Sequence, residues 1–457
     1  MAQSYLQQLG EAIREFLPSH SFNQIPVGQA TCWKPQRITW VALLMAWGEG
    51  QTLGARWDHA GEVVTKLHPQ WRLGESYSGF TQALIRLSVH LIPALVKRLQ
   101  VAMKAVAGSY WKSGLWVAFA VDGTRIEAPH TAQNENGLGC AGRDKTAPQV
   151  FLTTVWHLGT GLPWSFRVGP GTDSERNHFR RMIGELPERS MIVADAGFTG
   201  YALFMRLLLA RHSFLIRVGR NITLLKNLGY YHEEREGLVY LWPHAHRQCR
   251  PLVLRLIELT MGSQTVCLLT NVLDEKQLSD EEAASLYKRR WGEEVFHRSY
   301  KQTMNRRKIL SRTPETCQAE ASWMVLGLWL LSLMTAARII EAGGDPKEIS
   351  VAQARDTMRR AMRESRRGKR MAAKLREKKR RLRRGRRLVE VPDLWRELAD
   401  ARKDRYERPR SIKESRNYPR KKKEKPPGSP KIRPATPIEV KKSANLPSPE
   451  ILYQWTA

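Results

Sequence analysis

The chain of 457 residues is long enough for two to three structural units, and its 42% hydrophobic residues can form a sizeable buried core. This composition excludes a wholly disordered chain and a small disulfide-stapled scaffold. The 75 Lys and Arg residues exceed the 44 Asp and Glu residues, which gives a net charge of +31 and indicates a polyanionic partner, either nucleic acid or an acidic membrane surface. The charge is uneven, because residues 355–442 hold 35 Lys and Arg against 12 Asp and Glu.

Cysteines and apolar segments restrict the class further. The five cysteines form no C-x-x-C pair, so neither a zinc ribbon nor a disulfide framework is indicated. The first residues lack a basic region followed by an apolar run, so no signal peptide is expected. Residues 321–337 carry no charge, and we interpret them as a buried core helix rather than a membrane span. We therefore expect a soluble protein.

The first 110 residues are predicted to be helical, because apolar residues recur at i, i+3, i+4 and i+7 and strand-like alternation is scarce. Residues 38–64 contain two short helical runs separated by Gly48 and Gly50. This pattern fits a helix-turn-helix and fits a plain helical packing module equally well.

From residue 115 onward the pattern changes to mixed α/β. Apolar, β-branched runs predict strands at 115–123, 149–159, 164–171, 190–197 and 213–219, with helices at 175–186 and 201–212. Hairpins followed by alternating helices and strands indicate a mixed sheet with flanking helices. Further strand-like runs between residues 220 and 278, with no long helix among them, predict a β-rich insertion.

A capping box at Ser279 and Glu282 predicts the start of a long helix that continues to about Met304. Beyond residue 341 the chain is rich in Arg and Lys, and beyond residue 409 it is rich in Pro. We predict that this part is helical only in part and disordered near its end.

Two aspartates occupy equivalent positions. Asp122 and Asp195 each end a predicted strand, and each is followed closely by glycine. A single such aspartate is more often a turn or cap residue. Two on strands of one sheet favour a pair of hard oxygen ligands for Mg²⁺.

The predicted long helix carries a third carboxylate. Tyr287, Arg290, Glu294 and Lys301 have offsets that place them within a stripe about 60° wide on one helix face, and Arg298 adds a further cation. The alternative is a solvated salt-bridge face, because Arg290 and Glu294 are an ordinary i, i+4 pair.

These helix residues follow the pattern Y-x2-R-x3-E-x6-K, which resembles the signature of DDE transposases of the insertion sequence 4-like family. Asp122-Gly-Thr resembles the first aspartate motif of that family, and Asp195-Ala-Gly-Phe resembles the second. The order of the motifs and the β-rich insertion before the glutamate also agree. The resemblance extends over about 110–340.

The resemblance implies an α/β fold with a ribonuclease H-like core, in which Asp122, Asp195 and Glu294 are the catalytic residues and bind two Mg²⁺ or Mn²⁺ ions. It implies a DNA transposase that cleaves phosphodiester bonds at transposon ends and transfers the strands into target DNA. Its other implications are double-stranded DNA and a homodimer as partners, no membrane, a prokaryotic cytoplasmic and nucleoid-associated location, and DNA contacts by Tyr287, Arg290, Arg298 and Lys301.

Two alternatives stay open, namely a nuclease on the same core without strand transfer and a catalytically inactive DNA-binding derivative. The predicted organisation has five parts. They are a helical N-terminal domain that is a candidate for DNA binding (1–110), the first part of the core (111–221), the β-rich insertion (222–277), the second part of the core with the Glu-bearing helix (278–345), and a basic, partly disordered tail (346–457).

Overall fold

The computed structural model describes residues 4–26, 31–141, 147–261, 264–290, 292–366, 393–403 and 428–449. The N-terminal part is helical, as predicted, and contains α1 (Tyr5–Phe16), α2 (Pro35–Trp47), α3 (Leu53–Leu67) and α4 (Tyr77–Ala107). Apolar side chains cover α2 on nearly all sides, and most of them are buried. A helix that is buried all round serves as a core element.

The central strands are β1 (Ala118–Glu127), β2 (Gln149–His157), β3 (Leu162–Pro170), β4 (Met191–Ala194) and β5 (Ser213–Val218). The first three form an antiparallel meander, and β4 and β5 then add parallel to β1, in the spatial order β5-β4-β1-β2-β3. Shorter helices flank these strands, namely α5 (Ala132–Leu138), α6 (Glu175–Met182) and α7 (Tyr201–Leu209). The predicted ribonuclease H-like mixed sheet is confirmed.

The β-rich insertion extends this sheet. Its strands are β6 (Thr223–Lys226), β7 (Leu238–Leu241), β8 (Leu252–Met261) and β9 (Gln264–Thr270), of which β6 was not predicted. The last of them, β9, pairs antiparallel with β5, and β8, β7 and β6 follow outward in turn. The insertion is therefore continuous with the core through backbone hydrogen bonds.

The predicted long helix is divided in the structure. It begins with the expected capping box at Ser279 and forms α8 (Asp280–Arg289), then α9 (Gly292–Arg298), then a π-helical turn (Ser299–Thr303). The prediction of one regular helix to Met304 is therefore wrong, and angles computed for such a helix do not hold across its length. A π-turn has more residues per turn than an α-helix, so it rotates Lys301 relative to residues that precede it.

The segment 321–337 is the centre of α10 (Pro314–Glu341), and all of its residues are buried. Within the described residues two helices are long and apolar enough to cross a membrane, but the relevant window is 89% buried in α10 and 33% buried in Tyr77–Trp111. At Gly327 an added Cβ would lie 2.5 Å from Ala46 Cβ, and the Gly327 carbonyl accepts a hydrogen bond from Trp47 Nε1 at 2.8 Å. Close packing of α10 on α2 therefore depends on this glycine.

The described parts of the C-terminal region pack on the rest of the protein. They are α11 (Val351–Arg363), α12 (Leu394–Ala399), β10 (Lys431–Pro434) and α13 (Pro437–Ala444). Both α11 and α12 bury apolar side chains against α1 and α10, and β10 pairs parallel with β6. The amphipathic pattern of α11 lets it bury one face, in agreement with the prediction of a partly helical region. Disorder was predicted near the end of the chain, beyond residue 409. Residues 428–449 there instead contain β10 and α13, and 410–427 and 450–457 lie outside the described residues.

Candidate active site

The two aspartates come together through strand register. Parallel pairing of β1 with β4 places Ala120 opposite Val193. Two residues further along the chain are Asp122, in the middle of β1, and Asp195, directly after β4, which therefore stand at the same level and on the same face of the sheet. The prediction that Asp122 ends its strand is wrong, because β1 continues to Glu127 in its pairing with β2. Neighbouring strands lie about 4.8 Å apart, so the two carboxylates share one edge of the sheet.

The loop after β4 fixes the second aspartate. The Asp195 backbone is extended, and its Oδ1 accepts a hydrogen bond from the Gly197 amide at 2.8 Å. This local bond holds the carboxylate beside the end of the strand and is typical of aspartate before a turn. Asp195 can therefore stabilise the turn and also serve as a metal ligand, so these two interpretations of an aspartate at this position do not exclude each other.

Helix α9 packs over the first aspartate. His297 Nε2 lies 3.1 Å from Thr154 Oγ1, and its Nδ1 lies 3.8 Å from Asp122 Oδ2. Thr154 is the register partner of Asp122 on β2, so the imidazole spans both strands. Burial first and the charge of Lys301 second lower the pKa of His297 to about 3, which keeps the imidazole neutral near pH 7. His297 therefore anchors α9 without adding charge.

Lys301 also reaches β1, two residues beyond Asp122. Its Nζ donates a hydrogen bond to Thr124 Oγ1 at 2.6 Å. Burial lowers the pKa of Lys301, and the negative charges of Asp122 and Glu127 oppose that shift. The structure therefore brings Lys301 into the field of the first aspartate, next to the threonine of the Asp-Gly-Thr motif.

The backbone of Glu294 lies on α9, one helical turn before His297. Residues three apart share a helix face, and the His297 face is the one applied to β1 and β2. This placement is compatible with the expected convergence of Glu294 on Asp122 and Asp195, which stays a prediction.

The remaining predicted DNA contacts have different surroundings. Tyr287 and Arg290 are buried at the end of α8, with the guanidinium carbon 5.6 Å from the centre of the Tyr287 ring. Arg298 is exposed and lies near Lys403, whose pKa is lowered by burial and by the charge of Arg298. The four predicted DNA contacts therefore differ in their surroundings. Tyr287 and Arg290 form a buried pair, Lys301 lies near Asp122, and Arg298 is exposed.

Sequence reasoning missed a further carboxylate at this edge. Glu175, the first residue of α6, lies close enough that its pKa is raised to about 7 by burial, by Asp195 and by Asp122, in that order of effect. His297 was also missed, although its spacing of three from Glu294 places both on one helix face. For Glu175 the sequence offers only an acidic residue in the first turn of a helix, which is common at any helix N-terminus.

The donor chemistry of this edge suits a divalent cation with a preference for oxygen. Asp122 on β1 and Asp195 directly after the neighbouring β4 supply hard carboxylate oxygens, as Mg²⁺ and Mn²⁺ sites require. Across the described residues no group of three His, Cys, Asp or Glu side chains is close enough to hold a metal ion by itself. The two aspartates therefore fit as part of a ligand set that needs another donor.

A family profile described as "Transposase DDE domain" matches residues 117–330, which run from β1 into α10 and include every carboxylate discussed above. This match supports the predicted resemblance to DDE transposases of the insertion sequence 4-like family. Enzymes of this family cleave nucleic acid and generally use divalent metal ions.

Two transposases of insertion sequence elements are similar in sequence to this chain. Transposase InsG for insertion sequence element IS4 of Escherichia coli (strain K12) is 26% identical over 268 residues, which cover 54% of this chain and 58% of the relative. The putative transposase for insertion sequence element IS4SA of Synechocystis sp. is 22% identical over 206 residues, covering 43% and 55% respectively. The chain thus spans somewhat more than half the length of these relatives.

Among solved structures, the piggyBac transposase synaptic complex with hairpin DNA aligns over 86% of this chain and 81% of that chain, with a TM-score of 0.39 and 12% identity.

Proposed function

We propose that the protein is a DNA transposase that cleaves phosphodiester bonds at the ends of its element and transfers those ends into target DNA. The observation that carries this proposal is the register of β1 and β4, which puts Asp122 and Asp195 at one level, while helix α9 packs against β1 and β2. The DDE domain supports the same conclusion.

Asp122, Asp195 and Glu294 are proposed to hold two Mg²⁺ or Mn²⁺ ions. When bound, two such ions activate the attacking oxygen and stabilise the leaving oxygen of an in-line displacement. The three carboxylates would supply the oxygen ligands for these ions. Neutral His297 holds α9 against β1 and β2, so that Glu294 stays above the strand ends.

Lys301 is proposed to hold a backbone phosphate beside Glu294. Its ammonium already donates a hydrogen bond to Thr124, two residues beyond Asp122 on β1. Arg290 is buried against Tyr287, so we assign this pair a supporting function at the end of α8, with contact to DNA only after rearrangement. Exposed Arg298 is proposed to contact the backbone further away.

Replacing Lys301 by alanine should weaken binding of transposon-end DNA roughly tenfold to a hundredfold, because a hydrogen bond to a charged group contributes about 1.5–3 kcal/mol. The log–log salt dependence of binding should fall by about one. Fluorescence anisotropy over a salt series measures both quantities. Lys276→Ala, an exposed lysine of the insertion, is the control and should change neither by much. If the affinity and the salt slope are unchanged in Lys301→Ala, the function of Lys301 is only its hydrogen bond to Thr124.

Two other functions compete with this one. A nuclease on the same core would cut DNA without joining it, and an inactive derivative would only bind. The test supplies linear DNA carrying the native element ends, Mg²⁺ and a target plasmid to the full chain, and separates products on a denaturing gel. We expect cut ends and joined plasmid products. Cut ends alone would establish the nuclease, and binding without products would establish the inactive derivative.

The proposed partners are double-stranded DNA, as transposon ends and target, and a second copy of the chain that pairs the two ends. A cytoplasmic, nucleoid-associated location belongs to the same proposal. Light scattering of the protein with and without end DNA tests the dimer, since a purely monomeric complex with two ends present would contradict it.

A further inference from the structure

Glu175 lies between the two aspartate motifs. A Cβ added to Gly197 would lie 2.8 Å from Glu175 Oε1 and 2.8 Å from Asp195 Oδ1, so both oxygens approach the same point. A Cβ added to Gly123 would lie 3.1 Å from Glu175 Oε2, and 2.6 Å from the Phe151 ring. Both motif glycines therefore make room for the Glu175 carboxylate next to the strand ends.

The first turn of α6 is tied to the same loop. Arg176 Nε donates a hydrogen bond to the Gly197 carbonyl oxygen, which fixes the start of α6 beside the turn that follows Asp195. This hydrogen bond between the helix and the loop thus holds Glu175 on the side of Asp195. A flexible surface glutamate would have no such constraint.

No hydrogen-bond donor among the described residues contacts the Glu175 carboxylate. The two cations whose charges act on Glu175 donate elsewhere, since Arg176 binds the Gly197 carbonyl and Arg125 Nε binds the Gly171 carbonyl at 3.1 Å. A partly buried carboxylate beside two others and without a donor is unfavourable unless a cation compensates it. The alternative, a favourable interaction with the α6 dipole, explains an acidic residue here but not its approach to Gly123 and Gly197.

We infer that Glu175 is a fourth carboxylate of the site and takes part in holding a divalent cation with Asp122 and Asp195. This inference rests on the proposed function, because it assigns an additional ligand or positioning group to the same centre. It also gives the two motif glycines a function, namely to admit a side chain from α6.

Mn²⁺ binding to the metal-free full chain, measured by electron paramagnetic resonance at pH 8, tests the inference without reference to activity. Glu175→Gln should weaken Mn²⁺ binding at least tenfold, as loss of a ligand or of a group orienting one does. Glu175→Asp should lose less. The control Glu188→Gln, at an exposed position beyond α6, should bind as the unmodified protein does. A loss below tenfold in Glu175→Gln would overturn the inference.

Thermal unfolding separates a metal-site function from a purely structural one. In the absence of metal, Glu175→Gln should unfold at the same or a higher temperature, because a repulsion is removed. Mn²⁺ should then raise the unfolding temperature of the unmodified protein more than that of the variant. A lower unfolding temperature without metal, together with an undiminished Mn²⁺ effect, would assign Glu175 to the helix dipole and overturn the inference.

The outcome also distinguishes the two proposals. If the unmodified protein cleaves and joins DNA but Glu175→Gln binds Mn²⁺ normally, the inference about Glu175 is wrong and the proposed function stands. If Mn²⁺ binding depends on Glu175 but the unmodified protein gives no DNA product, the inference stands and the proposed function is wrong. If Glu175→Gln does not fold, Mn²⁺ binding is measured for Glu175→Ala against Glu188→Ala, and the same tenfold criterion applies.

Discussion

Asp122→Asn and Asp195→Asn are each expected to abolish cleavage of element ends, with a loss of roughly a thousandfold or more. Metal ions contribute several kcal/mol to the stabilisation of such transition states, and about 1.4 kcal/mol corresponds to a tenfold change in rate. Asparagine keeps the size of aspartate and its acceptor for the Gly197 amide, so the loop after β4 should remain in place. Single-turnover cleavage of labelled end DNA in Mg²⁺ measures the loss.

Binding and folding must be followed in the same variants. End-DNA affinity should stay within a few-fold of the unmodified protein, because the change removes a metal ligand rather than a phosphate contact. Asp58→Asn, at an exposed position of α3, serves as the control and should cleave normally. Cleavage that persists in Asp195→Asn at near-normal rate would remove this residue from the catalytic set. Glu294→Gln should behave as the two aspartate variants do.

Ending the chain at residue 350 is expected to destabilise the whole protein rather than remove a detached tail. The truncation deletes α11 and α12, whose buried side chains Met358, Leu394 and Leu398 pack in the main core. Truncating one such side chain to alanine costs about 2–5 kcal/mol. In urea unfolding, Met358→Ala should therefore lower the free energy of unfolding by about that amount. The control Gln353→Ala, on the exposed face of α11, should change the free energy of unfolding by less than about 0.5 kcal/mol.

The basic stretch between these two helices should have a separate function. Residues 367–392 hold 13 Lys and Arg against two Glu. Replacing these cations by Gln should lower non-specific DNA affinity and flatten its log–log salt dependence by about 0.9 for each phosphate that is no longer neutralised. The free energy of unfolding should not fall. An unchanged salt dependence would assign this stretch to solubility or to a protein partner.

Local patterns in the sequence predicted much of this fold. Strands β1, β2, β3, β4 and β5 follow from short apolar runs, and the start of α8 follows from its capping box, because each depends on neighbouring residues. The pairing of β9 with β5 could not be predicted in the same way, since it joins segments that are distant in the chain. Strand β6 is Thr-Leu-Leu-Lys, whose two adjacent leucines give neither strict alternation nor an apolar run of four residues.

The residues of the candidate site also divide into those that a local sequence pattern predicts and those that only tertiary packing reveals. Asp122 and Asp195 were predictable because each follows a short buried apolar run and is followed closely by a glycine, although β1 continues beyond Asp122. Glu175 was not, because only the packing of α6 against the Asp195 loop reveals its position. The π-turn before Met304 likewise follows from tertiary packing around Tyr300, which is almost completely buried, and it changes the direction of Lys301.

Strand β10 has a consequence for solubility. By pairing with β6, it covers a strand whose free amides and carbonyls would otherwise form a template for pairing with another molecule. Its own sequence is Lys-Ile-Arg-Pro, and Lys, Arg and Pro disfavour further strand addition at a sheet edge. During synthesis this protection arrives late, because residues 431–434 leave the ribosome after nearly all other strands and helices have formed. Nascent or proteolysed chains that lack this strand should therefore self-associate through β6.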